Sequence, residues 1–318
     1  MSAGEPSVTR ARALDVLRIA LLVVIVVACV VALWANWQAV SGELRKLSVH
    51  VVLGAFVLVT LAPVLTLMGW RVLLEDLGTH LALPPASSVF LVGQLGKYLP
   101  GSVWTVVAQA EMGAKLHVPR RRMAVVGILS IGLAVLTGCL LGIPAVQPLV
   151  ASRGEAFSWW WVVLAVALGC VLLWPRLLNA LIARGLRLLR REPLEHDLSG
   201  RAVALTSAWF VAAWVSTGTG TFVLARSVAP EAPLGPLLVM CVGGFALASA
   251  AGMFSILVPA GVGVRDGVLA LLLVTLMPLP AATAVVVVAR FLAVLADLLL
   301  AGFAWAWGRR HHLLGSTP

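Results

Sequence analysis

The sequence predicts an all-α polytopic membrane protein with about six full transmembrane helices and two broken segments, and three observations support this. Apolar residues make up 61% of the chain and charged residues only 11%, against about 45–50% and about 25% in soluble domains. The mean hydropathy is +1.04. Several apolar runs reach the roughly 18 residues that a membrane-spanning helix needs, and no polar stretch is long enough for a soluble domain. We therefore treat residues 1–318 as one transmembrane domain.

Six apolar runs predict full spans. At about 1.5 Å per residue, each covers or nearly covers the roughly 30 Å of hydrocarbon in a bilayer. Tryptophans at several of their ends, such as Trp37, Trp70 and Trp174, are typical of anchors at the membrane interface. The first run exceeds the apolar core of a signal peptide, about 7–15 residues, so we interpret it as an uncleaved span. The six runs are Ile19–Trp37, Val49–Trp70, Met123–Val146, Ser158–Trp174, Ala202–Ala225 and Ala281–Trp307.

The first broken segment, Ser87–Ala114, contains a helix break between apolar flanks. Pro100 and Gly101 interrupt the helix. Broken backbone within a bilayer exposes amide and carbonyl groups, each costing several kcal/mol unless protein or trapped water satisfies them. The segment therefore lines a cavity or packs inside the protein. The polar residues just before the break are candidate ligands for a substrate: Gln94, Lys97 and Tyr98.

The second broken segment, Leu234–Pro278, has its break at Pro259, followed by two glycines that permit tight turns, Gly261 and Gly263. The half-helix that follows would point its N-terminus at the break. Free amides at a helix N-terminus, beside a cation, form a favourable anion site. The charged residues at this position are Arg265 and Asp266.

Both halves of the chain place a glycine seven residues before the proline of the break, Gly93 before Pro100 and Gly252 before Pro259. The two prolines are 159 positions apart, half of the 318 residues. One interrupted segment at corresponding positions of two halves is typical of transporters built from inverted repeats, with the binding site at the interface of the repeats. A chance coincidence of two prolines is equally consistent, so the two pseudo-halves, centred on residues 87–114 and 234–278, stay a hypothesis.

The basic loops predict the orientation, because positively charged loops face the cytoplasm. If the N-terminus, Lys115–Arg122, Arg176–Arg201 and Arg309–His312 are all cytoplasmic, both termini lie in the cytoplasm. Each broken segment then begins and ends on one side of the membrane, the two in opposite orientations. Whether these segments are re-entrant hairpins or spans stays open, since residues 234–258 alone are long enough to cross. We expect localisation in the cytoplasmic membrane.

Charged side chains inside predicted spans are functional candidates, because each costs about 2.5–3.5 kcal/mol at the centre of a helix. The last span carries Arg290 and Asp297, which are two helical turns, about 10 Å, apart. We expect each to pair across the bundle with the corner formed by Arg265 and Asp266. A salt-bridge network that only holds the bundle together is the alternative, and a simple helix cap is the alternative for Asp266.

Other chemistries are disfavoured. The net charge of +10 lies in loops, where it sets orientation, so we expect no nucleic acid as partner. The four cysteines lie singly in apolar segments and predict neither a disulfide nor a metal site. The chain contains no motif of a metal, nucleotide or hydrolase site, so we expect no cofactor and no catalytic residue. Gly138 and Gly142 fit the small-xxx-small pattern of close helix contact.

Two motifs carry a resemblance to a known family. The segments Gly93-Gln-Leu-Gly-Lys-Tyr-Leu-Pro-Gly-x-x-Trp104 and Pro259-x-Gly-x-Gly-x-Arg-Asp-Gly267, with the later Arg290, resemble the transmembrane, flippase-like domain of lysylphosphatidylglycerol synthase. The resemblance extends over essentially the whole chain, at low specificity outside these motifs. Members usually carry Glu where this chain has Asp266, a departure of one methylene. The resemblance implies a stand-alone member without the aminoacyl-transferase domain, and movement of a lipid or lipid-linked headgroup instead of lysyl transfer.

The motifs and the resemblance predict flipping of an anionic lipid or polyprenyl-phosphate-linked headgroup across the membrane, without enzymatic activity. Lys97 and Arg265 would contact the phosphate, Arg290 would complete the positive site, and Asp297 would restrain it or exchange a proton. Two alternatives stay open: a membrane-embedded transferase that uses a lipid-phosphate donor, and a non-catalytic partner subunit of an envelope-lipid enzyme. The expected partners are membrane lipids, with a homo-oligomer or an envelope-biosynthesis enzyme as further alternatives.

Overall fold

A computed structural model describes residues 34, 37–99, 103–151, 159–254 and 263–310, and within them the fold is all-α. The predicted first span, Ile19–Trp37, lies almost entirely outside the described residues. A 3-10 turn, Gln94–Tyr98, stands within the first broken segment. The helices in chain order are α1 Trp37–Leu44, α2 Val49–Asp76, α3 Leu83–Gly93, α4 Trp104–Ala114, α5 Arg120–Ala151, α6 Trp159–Leu172, α7 Pro175–Leu188, α8 Gly200–Val228, α9 Leu234–Phe254, α10 Val264–Leu273 and α11 Leu279–Arg310.

Five of the described helices are long and apolar enough to cross a membrane, namely α2, α5, α8, α9 and α11. Four of them confirm predicted spans and extend them at one or both ends. The predicted span Ser158–Trp174 corresponds to the shorter helix α6, which forms a bent pair with α7 at 58°. The chain is therefore a multi-pass membrane protein.

The two broken segments differ in length. The first consists of two half-helices of 11 residues each, α3 and α4, separated by the 3-10 turn and the break. At about 1.5 Å per residue, neither half-helix alone crosses the hydrocarbon. The second begins with α9, whose 21 residues are long enough to span, and continues in the ten-residue α10. Only the first segment therefore consists of half-length helices on both sides of its break.

Helices α2 and α8 pack closely along their length. A Cβ added at Gly220 would lie 3.1 Å from the carbonyl oxygen of Ala55, so the two backbones approach at this glycine. Ser216 Oγ donates to the carbonyl of Leu58 at 2.7 Å, and Thr206 Oγ1 donates to the carbonyl of Gly69 at 3.1 Å. Hydroxyl groups that bond across helices satisfy their own donors where no water is available.

Helix α5 packs against α9 through glycines on both sides. A Cβ at Gly138 would lie 3.0 Å from the carbonyl oxygen of Ala246, and one at Gly142 would lie 2.5 Å from Cβ of Leu247. Gly243, on α9, faces the carbonyl of Leu141 in the same way. The predicted small-xxx-small contact is confirmed, and its partner is the helix that leads into the second break.

The last helix, α11, packs against both halves of the bundle and so links the two broken segments. In the first half of the chain it contacts α2, α3 and the 3-10 turn. In the second half it contacts α8 and α10. Near its C-terminal end, the carbonyl of Ala304 accepts a hydrogen bond of 3.0 Å from Ser88 on α3. This position brings the charged residues of α11 to the two breaks.

Candidate functional site

A cavity of about 320 Å³ lies between the two broken segments, with walls from α2, α5, α8, α9 and α11. Its volume is at the lower end of the range for small-molecule sites, about 300–1,000 Å³. Six of the seven predicted site residues line it: Gln94, Lys97, Tyr98, Arg265, Arg290 and Asp297. Asp266, the seventh, does not line the cavity itself but pairs with two arginines that do.

The geometry of the 3-10 turn follows from glycine and proline. A Cβ at Gly96 would lie 2.6 Å from the backbone nitrogen of Thr105, so only glycine allows the turn to pack on the start of α4. Leu99, which precedes Pro100, has φ −85° and ψ 147°, the extended conformation that a following proline favours. The turn thus presents Lys97 and Tyr98 to the cavity. The predicted break residues Pro100 and Gly101 lie outside the described residues.

Lys97, Tyr98 and Asp297 form one hydrogen-bonded cluster. Asp297 Oδ2 accepts from Tyr98 Oη at 2.5 Å and lies 2.7 Å from Lys97 Nζ. The Asp297 side chain is 6% exposed, whereas that of Lys97 is 37% exposed. The carboxylate is thus buried beneath a cation that still reaches the cavity.

This pairing corrects one prediction. Asp297 was expected to pair with the corner of Arg265 and Asp266, and it pairs with Lys97 instead. The reason is its position on α11. Two turns separate Asp297 from Arg290 on one helix face, so one residue lies beside the 3-10 turn while the other lies beside α10.

Arg265, Asp266 and Arg290 form the second cluster, and the predicted pairing of Arg290 with this corner is confirmed. Arg265 donates from Nη2 to Asp266 Oδ1 at 2.9 Å, and Arg290 Nη1 lies 3.9 Å from Asp266 Oδ2. The Arg265 guanidinium also lies 5.5 Å from the centre of the Phe245 ring, a cation–π distance. One carboxylate therefore positions two arginines beside the cavity.

The start of α10 requires glycine. Gly263 precedes the helix with φ 83°, a left-handed backbone conformation that only glycine adopts without cost. As a glycine it has no side chain with which to cap α10. Within the part of the chain that the structure describes, the hydrogen bonds that the Asp266 carboxylate accepts come from Arg265. The other predicted break residues of this segment, Pro259 and Gly261, lie outside the described residues.

The charges of the two clusters nearly cancel. Three cations and two carboxylates meet at the cavity, and the undescribed residues 100–102 and 255–262 contain no charged side chain in the sequence. The clusters therefore carry a net charge of one positive. This is less electropositive than the three cations suggest in the sequence, because each carboxylate lies against them.

The rest of the cavity wall is aromatic and weakly polar, and its tryptophan and hydroxyl groups gave no functional signal in the sequence. Trp70, predicted as an interfacial anchor, is fully buried and lines the cavity, because α2 continues to Asp76 and places the indole inside the protein. The Nε1 of Trp70 and the hydroxyls of Ser130 and Ser249 are buried, and none of them has a hydrogen-bond partner among the residues that the structure describes. Gln109, 1% exposed, also lines it. Isolated hydroxyls in apolar helices give little sequence signal, because they commonly bond to their own helix.

Among the described residues, no group of three His, Cys, Asp or Glu side chains is placed to hold a metal ion. The polar groups at the cavity are ammonium, guanidinium, phenol, amide, hydroxyl and indole donors, together with two paired carboxylates. Such a set could donate several hydrogen bonds to one anion. A phosphate group is one such anion.

Comparison with known proteins identifies a family that covers most of the chain. No curated protein matches the chain significantly. The family described as "Lysylphosphatidylglycerol synthase TM region" matches residues 19–301, a stretch that contains both broken segments and all seven candidate residues. The chain belongs to the family of the lysylphosphatidylglycerol synthase transmembrane region.

Proposed function

We propose that this protein moves an anionic lipid headgroup, phosphate or phosphodiester, across the membrane through the cavity between the two broken segments. The observation that carries the proposal is the meeting of Lys97, Arg265 and Arg290 in one cavity at the breaks. Charged groups in a membrane protein commonly mark substrate pathways. The family relates the chain to membrane lipids, and the cavity supplies a chemical reason for an anionic one.

The apolar side chains at the cavity edge support a route for the lipid tails. Leu99 and Met253, one from each broken segment, line the cavity and are also exposed on the surface. Val103 and Trp104, just after the first break, are exposed as well. A headgroup in the cavity would therefore leave its acyl or prenyl tails among apolar side chains and bilayer lipid.

The proposed binding step is an exchange of partners. The entering phosphate would take hydrogen bonds from Lys97, which now forms an ion pair with Asp297, and from Arg265 and Arg290, which share Asp266. Asp297 keeps its hydrogen bond from Tyr98 throughout. Each cation would therefore have an anionic partner both while the headgroup is bound and after it has left.

A non-enzymatic role fits this cluster better than a transferase. A general base must be available to take a proton from the attacking group, and both carboxylates here are ion-paired at 2.7–2.9 Å. We further propose the cytoplasmic membrane as the location, with both termini in the cytoplasm. Contacts of Arg121 with Glu192 and of Arg122 with Glu195 support this, because they bring two basic loops to one end of the bundle.

The test is lipid flipping by reconstituted protein. Phosphatidylglycerol labelled on an acyl chain with a dithionite-sensitive fluorophore reports movement between leaflets of a vesicle. Lys97→Ala and Arg265→Ala should each reduce the protein-dependent rate at least tenfold, because each loses a charged hydrogen bond worth about 1.5–3 kcal/mol. Lys46→Ala is the matched control, since Lys46 is half exposed and pairs with Glu43, and neither residue lines the cavity.

Three results separate the possibilities. Unchanged flipping in both cavity variants, with a normal elution profile, removes these residues from the pathway. A wild-type rate equal to that of empty vesicles for every anionic lipid tested contradicts translocation. A new covalent lipid product, detected by mass spectrometry after incubation with a lipid-linked sugar, favours the transferase.

A further inference from the structure

Helix α7, Pro175–Leu188, is an element that the sequence analysis treated as part of a basic loop. It follows the apolar helix α6 after a bend of 58°. If α6 stands along the bilayer normal, this bend turns α7 most of the way toward the membrane plane. Pro175, at the first position of α7, favours this start because its missing N–H has no partner in a first helical turn.

The charges of α7 and its C-terminal end have one sign. Residues 175–191 contain five arginines and no Asp or Glu. All five are exposed, and within the described part of the chain none lies within ion-pair distance of a carboxylate. They are Arg176, Arg184, Arg187, Arg190 and Arg191. This is unlike Arg121 and Arg122, which pair with Glu192 and Glu195 of the following loop.

The apolar side chains of α7 form two edges with different surroundings. One edge faces the protein: Leu186 is buried and Leu178 packs partly against the core. The other edge is exposed, with Leu181 at 52% and Leu188 at 86%. At 100° per residue, this exposed edge lies directly beside the arc that holds the arginines.

The helix is held to the bundle at its inner side. Asn179 Nδ2 donates to the carbonyl of Leu198 at 3.0 Å, and the amide of Leu198 donates back to Asn179 Oδ1 at 2.9 Å. This reciprocal pair fixes the rotation of α7 about its axis. Because the inner side of α7 is held in this way, the exposed leucine edge and the arginines point away from the protein.

We propose that α7 is an interfacial helix that binds anionic phospholipids at the membrane surface. An exposed apolar edge beside arginines is the pattern of helices that lie at the acyl–headgroup boundary, with the leucines in the acyl region and the guanidinium groups among the phosphates. Unpaired arginines complement an anionic surface and gain little from a zwitterionic one. Five arginines in 17 residues also exclude burial of α7 in the hydrocarbon as the second half of a span. This proposal does not depend on the proposed function.

The test measures the depth of the exposed edge in vesicles. The native cysteines are replaced by alanine, Leu181→Cys carries a nitroxide, and collisions with oxygen and with a water-soluble nickel complex report its depth. In vesicles with about 30% phosphatidylglycerol, the label should be shielded from nickel and accessible to oxygen. In phosphatidylcholine alone it should be markedly more accessible to nickel. A label at Leu168→Cys, on the exposed side of α6, should stay in the hydrocarbon in both.

Paired substitutions distinguish an effect of the α7 arginines from an effect of the net charge of the protein. Arg184→Gln with Arg187→Gln should remove most of the dependence on phosphatidylglycerol, since each arginine near the surface contributes about fivefold to partitioning, equivalent to about 1 kcal/mol. Arg309→Gln with Arg310→Gln makes the same charge change at the end of α11 and should leave the Leu181 label unaffected. Normal elution and helix content of each variant establish that it is folded.

Three outcomes overturn the proposal. A Leu181 label that is open to nickel in every vesicle shows that this edge faces water and is available to a protein partner. A label equally shielded in both lipids, and insensitive to the α7 substitutions, shows an interfacial helix without preference for anionic lipid. An equal response to the α7 and α11 substitutions shows an effect of net charge alone.

Discussion

The ion pair of Lys97 and Asp297 allows the most direct test of the site geometry. We predict that the two substitutions Lys97→Met and Asp297→Asn are strongly coupled in stability, and that Lys97→Met alone is the more damaging. The asymmetry comes from exposure. The Asp297 side chain is 6% exposed, so without Lys97 it keeps one direct hydrogen bond, from Tyr98, and little access to water. The Lys97 side chain is 37% exposed and can be hydrated in the cavity when Asp297 is neutralised.

The magnitudes follow from these exposures. Removing one partner of a fully buried pair costs about 3–5 kcal/mol. We expect about 2–4 kcal/mol for Lys97→Met, because Arg290 lies two turns away and compensates part of the charge, and about 1–2 kcal/mol for Asp297→Asn. The double variant leaves no unpaired charge, and the new amide oxygen still accepts from Tyr98. Its cost should be close to that of Asp297→Asn alone, so the coupling energy equals the cost of Lys97→Met, about 2–4 kcal/mol.

The assay is reversible unfolding of the purified full chain in mixed micelles, followed by circular dichroism for wild type, both single variants and the double variant. A Glu111→Gln, Arg120→Met cycle is the matched control. That pair has a similar distance, 2.8 Å, but is more than half exposed on both sides, so screening by solvent should leave its coupling much smaller than that of Lys97 and Asp297. Additive losses for Lys97 and Asp297, or a coupling no larger than in the control, would refute the buried pair.

Two further predictions concern the bundle. Gly142→Ala should destabilise the protein by about 1–3 kcal/mol, because the new Cβ would meet Leu247 Cβ at 2.5 Å between α5 and α9; Gly132→Ala in the same helix has nothing within 4 Å and should be neutral or stabilising by up to about 1 kcal/mol. Arg122→Ala should cost about 2–3 kcal/mol, since buried Arg122 bonds a backbone carbonyl and a carboxylate, whereas Arg121→Ala, whose partner carboxylate is 91% exposed, should change stability by less than about 0.5 kcal/mol. The same unfolding assay checks both pairs, and equal effects within either pair would contradict the packing described.

The membrane class and most spans could be predicted because they depend on composition and length alone. A run such as Ala202–Ala225 must be helical in a bilayer, since a helix satisfies every backbone group within the segment. The boundaries moved outward, to Gly200–Val228 for this run. Helix α7 was missed for a related reason. Its leucines and arginines lie on adjacent faces of one helix, and because the arginines lower the average hydropathy, the stretch has the composition of a loop.

Within the site, the sequence indicates which charged residues are functional candidates, but it does not indicate which of them form ion pairs. Lys97 and Arg265 could be identified from sequence because charge beside a helix break is costly and therefore informative. Their partners depend on which face of α11 meets which break, and this is set by the packing of α11 against α3 and α10. Asp297 lies 200 positions from Lys97. The cavity wall of Trp70, Ser130 and Ser249 depends in the same way on packing between distant helices.

The near-cancellation of charge has a consequence for the proposed function. A cavity with three unpaired cations would hold a phosphate tightly, since a unit charge about 4 Å away contributes about 4 kcal/mol at an effective dielectric constant of 20. Transport requires binding that is favourable enough for entry and weak enough for release. Asp297 and Asp266 reduce the net charge of the clusters to one positive and give each cation a partner when the headgroup has left. On this argument Asp297→Asn, although folded, should bind phosphatidylglycerol more tightly than wild type and flip it more slowly, whereas weaker binding would show that the carboxylate does not compete with the lipid.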